Sequence, residues 1–263
     1  MSLLFGCVSC EYLDNDTYRI RFILFDADTV LMFQLREITK IYRKRRQEVV
    51  AFRVDQLEIA AGEYVAVVGP SGSGKTTLLS LLGGMLSPDN GQLLFQGQSL
   101  YGLSLNERTR LRREQIGFVF QTFNLVPYLT ALENVQVPMY LGGISAAEQR
   151  DRATTLLEQV GLADRLDHKP CELSTGQQQR VALARTLANN PRLILADEPT
   201  GNLDPESREV VLSMFDTFVR DGRTIVMVTH DHSAAIRAAR KILLKDGQII
   251  SDTNDAISRS HCA

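Results

Sequence analysis

The stretch Gly69-Pro70-Ser71-Gly72-Ser73-Gly74-Lys75-Thr76 narrows the folds open to this chain more than any other. It follows the apolar run Tyr64-Val65-Ala66-Val67-Val68 and leads into a helical pattern from Thr76 to Leu82. The spacing fits G-x-x-x-x-G-K-[ST], and a strand before with a helix after is the context that motif needs. Glycines let the backbone wrap its N–H groups around a phosphate chain, and the N-terminus of the next helix adds favourable dipole charge. Lys75 is then expected to reach the β- and γ-phosphates, and the Thr76 hydroxyl to ligate Mg²⁺.

Two more apolar runs, Leu193-Ile194-Leu195-Ala196 and Thr224-Ile225-Val226-Met227-Val228, precede helical patterns over Pro205–Val219 and Ser233–Arg240. Continuous apolar strands of this kind are buried on both faces, as in a parallel sheet covered by helices. The alternation predicts an α/β fold. From Met32 to Ala60 apolar and polar residues alternate, as at Phe33-Leu35-Ile38 and Val50-Phe52-Val54, which suits antiparallel strands. Between Gln121 and Ser174 no comparable strand occurs, and Ala153, Leu156, Leu157 and Val160 mark one helical face. Residues 122–174 are read as a helical insertion.

Composition mostly excludes. The 29 basic and 31 acidic residues of the 263 nearly cancel, so no basic face for a nucleic acid is expected. The run Arg43-Lys44-Arg45-Arg46 reads as a solvated loop. Cys7 and Cys10 form a lone C-x-x-C, and Cys171 follows His168. Four cysteines in a chain this long make no disulfide framework, and a reduced cytosolic setting is the simpler reading. No stretch reaches the roughly 18 to 20 apolar residues of a membrane span, and the N-terminus lacks the basic start of a signal peptide. The chain is expected to be soluble and to dock on a membrane if it serves one. Residues 1–31, with Asp14, Asp16, Asp26 and Asp28 among scattered hydrophobics, fit no element, so translation is expected to start at Met32; a genuine extension is the alternative. Residues 252–263 are a short tail.

Further chemistry sits at the strand ends. Leu193–Ala196 ends in Asp197-Glu198, which places Asp197 beside a metal's coordination shell and Glu198 where it can orient or deprotonate an attacking water. Leu173-Ser174-Thr175-Gly176-Gln177 precedes a helix whose apolar face runs through Val181, Ala184, Leu187 and Ala188. Ser174 and Gln177 also satisfy a capping box, and a capped helix start is an anion site as well. His230 follows the third strand, and Gln121 follows Phe118-Val119-Phe120.

Together these segments resemble the ABC transporter ATPase family over roughly Met32 to Ser251. The resemblance implies a P-loop NTPase (RecA-like) α/β core with an antiparallel β subdomain and a helical subdomain, and ATP and Mg²⁺ as ligands. It implies that Gly69 to Thr77, including Ser71, Ser73 and Thr77, hold the nucleotide, that Tyr42 stacks on adenine, and that Thr76, Gln121 and Asp197 serve the metal. Glu198, His230, Lys75 and Gln121 are the implied catalytic set. Ser174, Thr175, Gly176, Gln177 and Asp204 would close over the nucleotide of a second subunit in a head-to-tail homodimer or heterodimer. The partner implied is a separate transmembrane permease, with the ATPase peripheral on the cytoplasmic face of the inner membrane and no nucleic acid involved.

One residue departs from the family pattern: Thr175 stands where Leu-Ser-Gly-Gly-Gln has its first glycine. A first-turn position has negative φ, so a β-carbon is tolerable there, and dimer closure is the step its bulk bears on. Gly117–Pro127, Glu133-Asn134-Val135 and Glu198-Pro-Thr-Gly-Asn-Leu-Asp204 look most like the branch for lipoprotein release, macrolide export and cell division (LolD, MacB and FtsE types). Amino-acid importers usually carry Ser-Ala before the Leu-Asp, so Gly201-Asn202 favours that branch over a substrate importer. Soluble ABC proteins of translation or repair usually carry two cassettes or an insertion that this sequence lacks.

Overall fold

The computed structural model describes residues 8–13, 17–22, 30–44 and 47–253. Cys7, the four N-terminal aspartates, Arg45-Arg46 and the tail from residue 254 lie outside the described residues. Strands β1 (Val8–Leu13) and β2 (Thr17–Phe22) form an antiparallel pair of their own. The other strands among the described residues form one ten-stranded sheet.

The antiparallel part comes first. Strands β3 (Leu31–Lys44) and β4 (Gln47–Ala60) pair along nearly their whole length. Their alternating side chains send Phe33, Leu35, Ile38, Phe52 and Ile59 into the core. Then come β5 (Tyr64–Val68), α1 (Lys75–Leu82), β6 (Asn90–Phe95), β7 (Gln98–Ser99), α2 (Leu105–Gln115) and β8 (Ile116–Phe120). Helices α3 (Ala131–Leu141), α4 (Ala146–Gln159) and α5 (Thr175–Leu187) follow without an intervening strand. The chain then alternates β9 (Leu193–Asp197), α6 (Pro205–Arg220), β10 (Thr224–Thr229) and α7 (His232–Ala235), and finishes with β11 (Arg240–Lys245) and β12 (Gln248–Asp252).

The sheet order is β7-β6-β3-β4-β12-β11-β5-β10-β9-β8, and the five strands from β11 to β8 run parallel. Side chains on β5 alternate between two cores. Tyr64, Ala66 and Val68 face α3 to α6, while Val65 and Val67 face α1 and the antiparallel strands. Burial on both faces is why these runs are apolar without a break. Ala153, Leu156, Leu157 and Val160 of α4 and its end are buried in the first core.

The helix expected over Ser233–Arg240 is a correction. α7 ends at Ala235 with Ile236 N bonding to His232 O, the two amides after that bond back only three residues (Arg237 N to Ala234 O, Ala238 N to Ala235 O), and Arg240 opens β11. Arg240 is drawn into the sheet. Its guanidinium donates to Asp252 at 2.8 and 2.6 Å and lies 3.2 Å from Glu63, and Asp252 belongs to β12, the strand paired with β11.

Candidate functional site

Parallel register puts the C-terminal ends of four neighbouring strands side by side. Thr229 pairs with Val68, Val228 with Asp197, and Phe120 with Asp197. The residues just beyond these ends, Gly69, His230, Glu198 and Gln121, therefore share one edge of the sheet. Such an edge is where open α/β sheets bind ligands. A cleft of about 1110 Å³ opens there, and Tyr42, Ser71, Gly72, Gly74, Lys75, Thr76, Thr77, Gln121, Asp197, Glu198 and His230 all line it.

The loop between β5 and α1 requires its glycines. A β-carbon on Gly69 would meet the Leu244 carbonyl at 2.1 Å. Gly74 has φ +101, and a β-carbon there would meet the Ala51 carbonyl at 2.3 Å. The loop is thus pressed against β4 and the end of β11 with its other side facing the cleft. Lys75 Nζ donates to the carbonyls of Gly69 (2.7 Å) and Pro70 (2.9 Å), so the ammonium is poised over the loop's own mouth.

Thr76 Oγ1 lies 3.5 Å from Asp197 Oδ2. Burial raises the Asp197 carboxyl above its ordinary value, and the neighbouring Glu198 charge adds to the shift. A cation at this spot would relieve both costs. The donors are hard oxygens, few in number, which is how Mg²⁺ is held when phosphates and water complete its shell. Among the described residues no group of three or more His, Cys, Asp or Glu is placed to hold a metal by itself.

Glu198 sits at φ +47, a left-handed backbone rarely taken by a non-glycine residue. Its carboxylate is fixed from three sides. Thr229 Oγ1 donates to Oε2 (3.1 Å), His230 N lies 3.3 Å from the same oxygen, and His230 Nδ1 is 2.9 Å from Oε1. Thr229 was not singled out in the sequence; only its place at the end of a strand beside β9 reveals it. Gln121 is engaged with the next loop, where its Nε2 donates to Asn202 Oδ1 (3.3 Å) and Asn202 Nδ2 donates to its carbonyl (3.1 Å).

The segment Ser174 to Gln177 lies apart from this cleft. Ser174 and Thr175 are exposed at the start of α5 and do not line it. Ser174 Oγ accepts from Gln177 N (3.2 Å), while Gln177 Oε1 accepts from Ser174 N (2.9 Å), so the capping box is complete. Gly176 is buried against α6, where a β-carbon would meet Ser207 Oγ at 2.2 Å. Asp204 caps α6 by accepting from Ser207 N.

Comparison with known proteins gives this geometry a family. Residues 52–201 match the model of the ABC transporter family. The chain is 44% identical to the ABC transporter ATP-binding protein YvrO of Bacillus subtilis, over 87% of this chain and 100% of YvrO. It is 45% identical to the macrolide export ATP-binding/permease protein MacB of Escherichia coli, over 86% of this chain and 35% of MacB; the chain thus spans about a third of MacB. Among solved structures it is similar to a dimeric structure of MJ0796, described as a bacterial ABC transporter cassette, with a TM-score of 0.78 and 43% identity over 84% of this chain and 97% of that one. A post-hydrolysis dimer of the same cassette, bound to ADP and Pi, matches equally well. The chain belongs to the ABC transporter family, as an ATP-binding, ATP-hydrolysing cassette of the branch that holds MacB and MJ0796.

Proposed function

We propose that this cassette binds Mg²⁺-ATP in the strand-end cleft, pairs head-to-tail with a second cassette, and drives a separate permease of the lipoprotein-release or macrolide-export type. The observation that carries the reading is the split site. Phosphate loop, carboxylates and histidine line one cleft, while the capped start of α5 stands exposed elsewhere on the same chain. A second copy is what supplies Ser174 to Gln177 and Asp204 to the first copy's nucleotide. The dimer described for MJ0796 supports this.

In this reading residues 32–251 act as the ATPase, with residues 122–174 as its helical part. Backbone N–H groups from Gly69 to Gly74 hold the phosphates, with Ser71, Ser73, Thr76 and Thr77 around them. Lys75 leaves the Gly69 and Pro70 carbonyls for the β- and γ-phosphates, and Tyr42 flanks the base. Thr76, Asp197 and Gln121 hold Mg²⁺, which when bound neutralises charge on the phosphate oxygens. Glu198 accepts a proton from water as the water oxygen bonds the γ-phosphorus and the bond to ADP breaks. Thr229 and His230 keep the carboxylate aimed while this happens.

The permease would dock in a second groove, of about 650 Å³, between α2, β8, α3 and α5. Its floor is apolar (Ile116, Phe118, Phe120, Val137, Pro138), and Met85 and Leu141 are exposed beside it. Arg112, Arg113 and Arg185 line it too, and the hydrogen bonds of Arg185 go to the carbonyls of Phe123 and Asn124. That chemistry fits an apolar cytoplasmic segment of the permease bearing an acidic residue. No helix among the described residues is long and apolar enough to cross a membrane. Such a partner would keep the cassette on the cytoplasmic face of the inner membrane.

The test is Glu198→Gln. It is expected to bind ATP, hydrolyse it at least about 100-fold more slowly, and accumulate a dimer seen by light scattering. Turnover at the parental rate would overturn the assignment of the base, and a monomer under saturating ATP would overturn the composite site.

A further inference from the structure

Residues 198–204 do more than follow the β9 carboxylates. Pro199 O accepts a buried hydrogen bond from Gln179 of α5 (2.6 Å), so the segment is anchored to that helix. From that anchor Asn202 reaches across to the end of β8. There it grips Gln121 twice, once through the side-chain amide and once through the backbone carbonyl. Gly201 is shaped around the same side chain: a β-carbon there would lie 2.9 Å from Gln121 Nε2 and 3.4 Å from its Cδ.

We propose that Asn202, with Gly201 making room, is a positioning residue that orients the Gln121 amide for the metal site. Asn202 Oδ1 takes the donor end of that amide. The acceptor end, Oε1, is the only part of the group that can ligate a cation, and the pairing leaves it free for the cleft that Gln121 lines. An amide without such a partner can flip end for end and present N–H groups to the metal. Outer groups that fix a ligand's orientation typically matter 10- to 100-fold to metal affinity. The second bond, from Asn202 Nδ2, fixes the Gln121 backbone just past the last register pair of β8 and β9, which is Phe120 with Asp197. The inference rests on the reading of Gln121 as a metal ligand.

The test uses the full chain in a Glu198→Gln background loaded with ATP, with Mn²⁺ as the probe and free Mn²⁺ read by electron paramagnetic resonance. Asn202→Ala is expected to weaken Mn²⁺ about tenfold and to leave ATP affinity in EDTA unchanged. Gly201→Ala, which keeps Asn202 but pushes the Gln121 amide, is expected to weaken Mn²⁺ as well. It supplies the answer if Asn202→Ala melts below the working temperature. Gln121→Ala is expected to lose at least as much, and the Gln121→Ala/Asn202→Ala double variant no more than Gln121→Ala alone. Parental Mn²⁺ affinity in both Asn202→Ala and Gly201→Ala, with a loss in Gln121→Ala, overturns the positioning role and leaves the metal ligand standing. Full additivity in the double variant also overturns it. Parental affinity in Gln121→Ala removes the metal reading itself.

Discussion

Asp197 carries a cost in the protein by itself. Its carboxyl is raised by burial and by Glu198, so the folded chain holds that proton more tightly than the unfolded chain does. The stability linked to this proton is fully present below the ordinary carboxylate value of 3.8 and is lost as pH rises through the raised folded value. At neutral pH the ionised Asp197 therefore opposes folding. Asp197→Asn is expected to melt higher than the parent at pH 7, by a margin that shrinks toward pH 4, while Mg²⁺-dependent ATPase is lost. Melting curves across that range check it; a lower melting temperature at pH 7 would contradict it. Thr175 poses a different question. It is exposed at the first position of α5, and the cap beside it is intact, so its methyl and hydroxyl disturb nothing within the chain. If Thr175 restrains closure, Thr175→Gly leaves nucleotide affinity of the monomer unchanged and raises ATPase activity severalfold, since crowding a packed contact with a side chain that glycine lacks costs about 1 to 3 kcal/mol. Unchanged turnover would clear Thr175 of that role.

At the scale of elements, the start of α5 carries two duties that substitution can separate. Ser174 caps the helix, and in the proposed dimer it also meets the partner's nucleotide. Ser174→Ala removes the cap and is expected to cost about 1 kcal/mol of stability. Ser174→Asp keeps the cap, because aspartate caps as well as serine does, but brings a negative charge to where phosphate would arrive. It is expected to melt like the parent yet fail to dimerise on ATP, as denaturation and light scattering would show. An Asp variant that dimerises normally would mean α5 acts only as a helix. Element by element, legibility in the sequence followed burial. β5, β9 and β10 were readable because both faces are buried, and their apolar runs are unbroken. α2 was not, since none of its residues is fully buried and its two leucines, Leu105 and Leu111, make no periodic stripe to detect; only its Ser104–Glu107 capping box marks it. The helix expected up to Arg240 failed because a buried ion pair with Asp252 outweighed local helical pattern, and no window of neighbouring residues contains that pair. Within the cleft, Lys75, Asp197 and Glu198 are announced by spacing. Thr229 and the Asn202–Gln121 pairing depend on register between strands and loops far apart in the chain, so spacing is silent about them.

For the whole molecule, the decisive question is whether one nucleotide is served by two chains. A head-to-tail pair with two-fold symmetry has two equivalent sites, each made of one copy's Gly69–Thr76 loop and the other copy's Ser174–Gln177 segment. Lys75→Ala breaks the first component and Ser174→Asp the second, so neither variant is expected to hydrolyse ATP alone. When the two are mixed, a dimer with one copy of each has one site in which both components are broken and one in which both are whole. The mixed pair has one intact site of two on which to close, which neither variant has with its own kind, so activity should return on mixing, to no more than about half of the parental level. Recovery should rise with total protein concentration, since pairing is bimolecular, and should vanish when the Ser174→Asp chain, which supplies the intact loop, also carries Glu198→Gln. A site complete within one chain predicts the opposite, because mixing two dead enzymes of that kind restores nothing at any ratio. Absence of recovery, under conditions where cross-linking captures the mixed dimer, would therefore return the exposed start of α5 to a purely structural role. It would also leave the strand-end cleft as the entire active site.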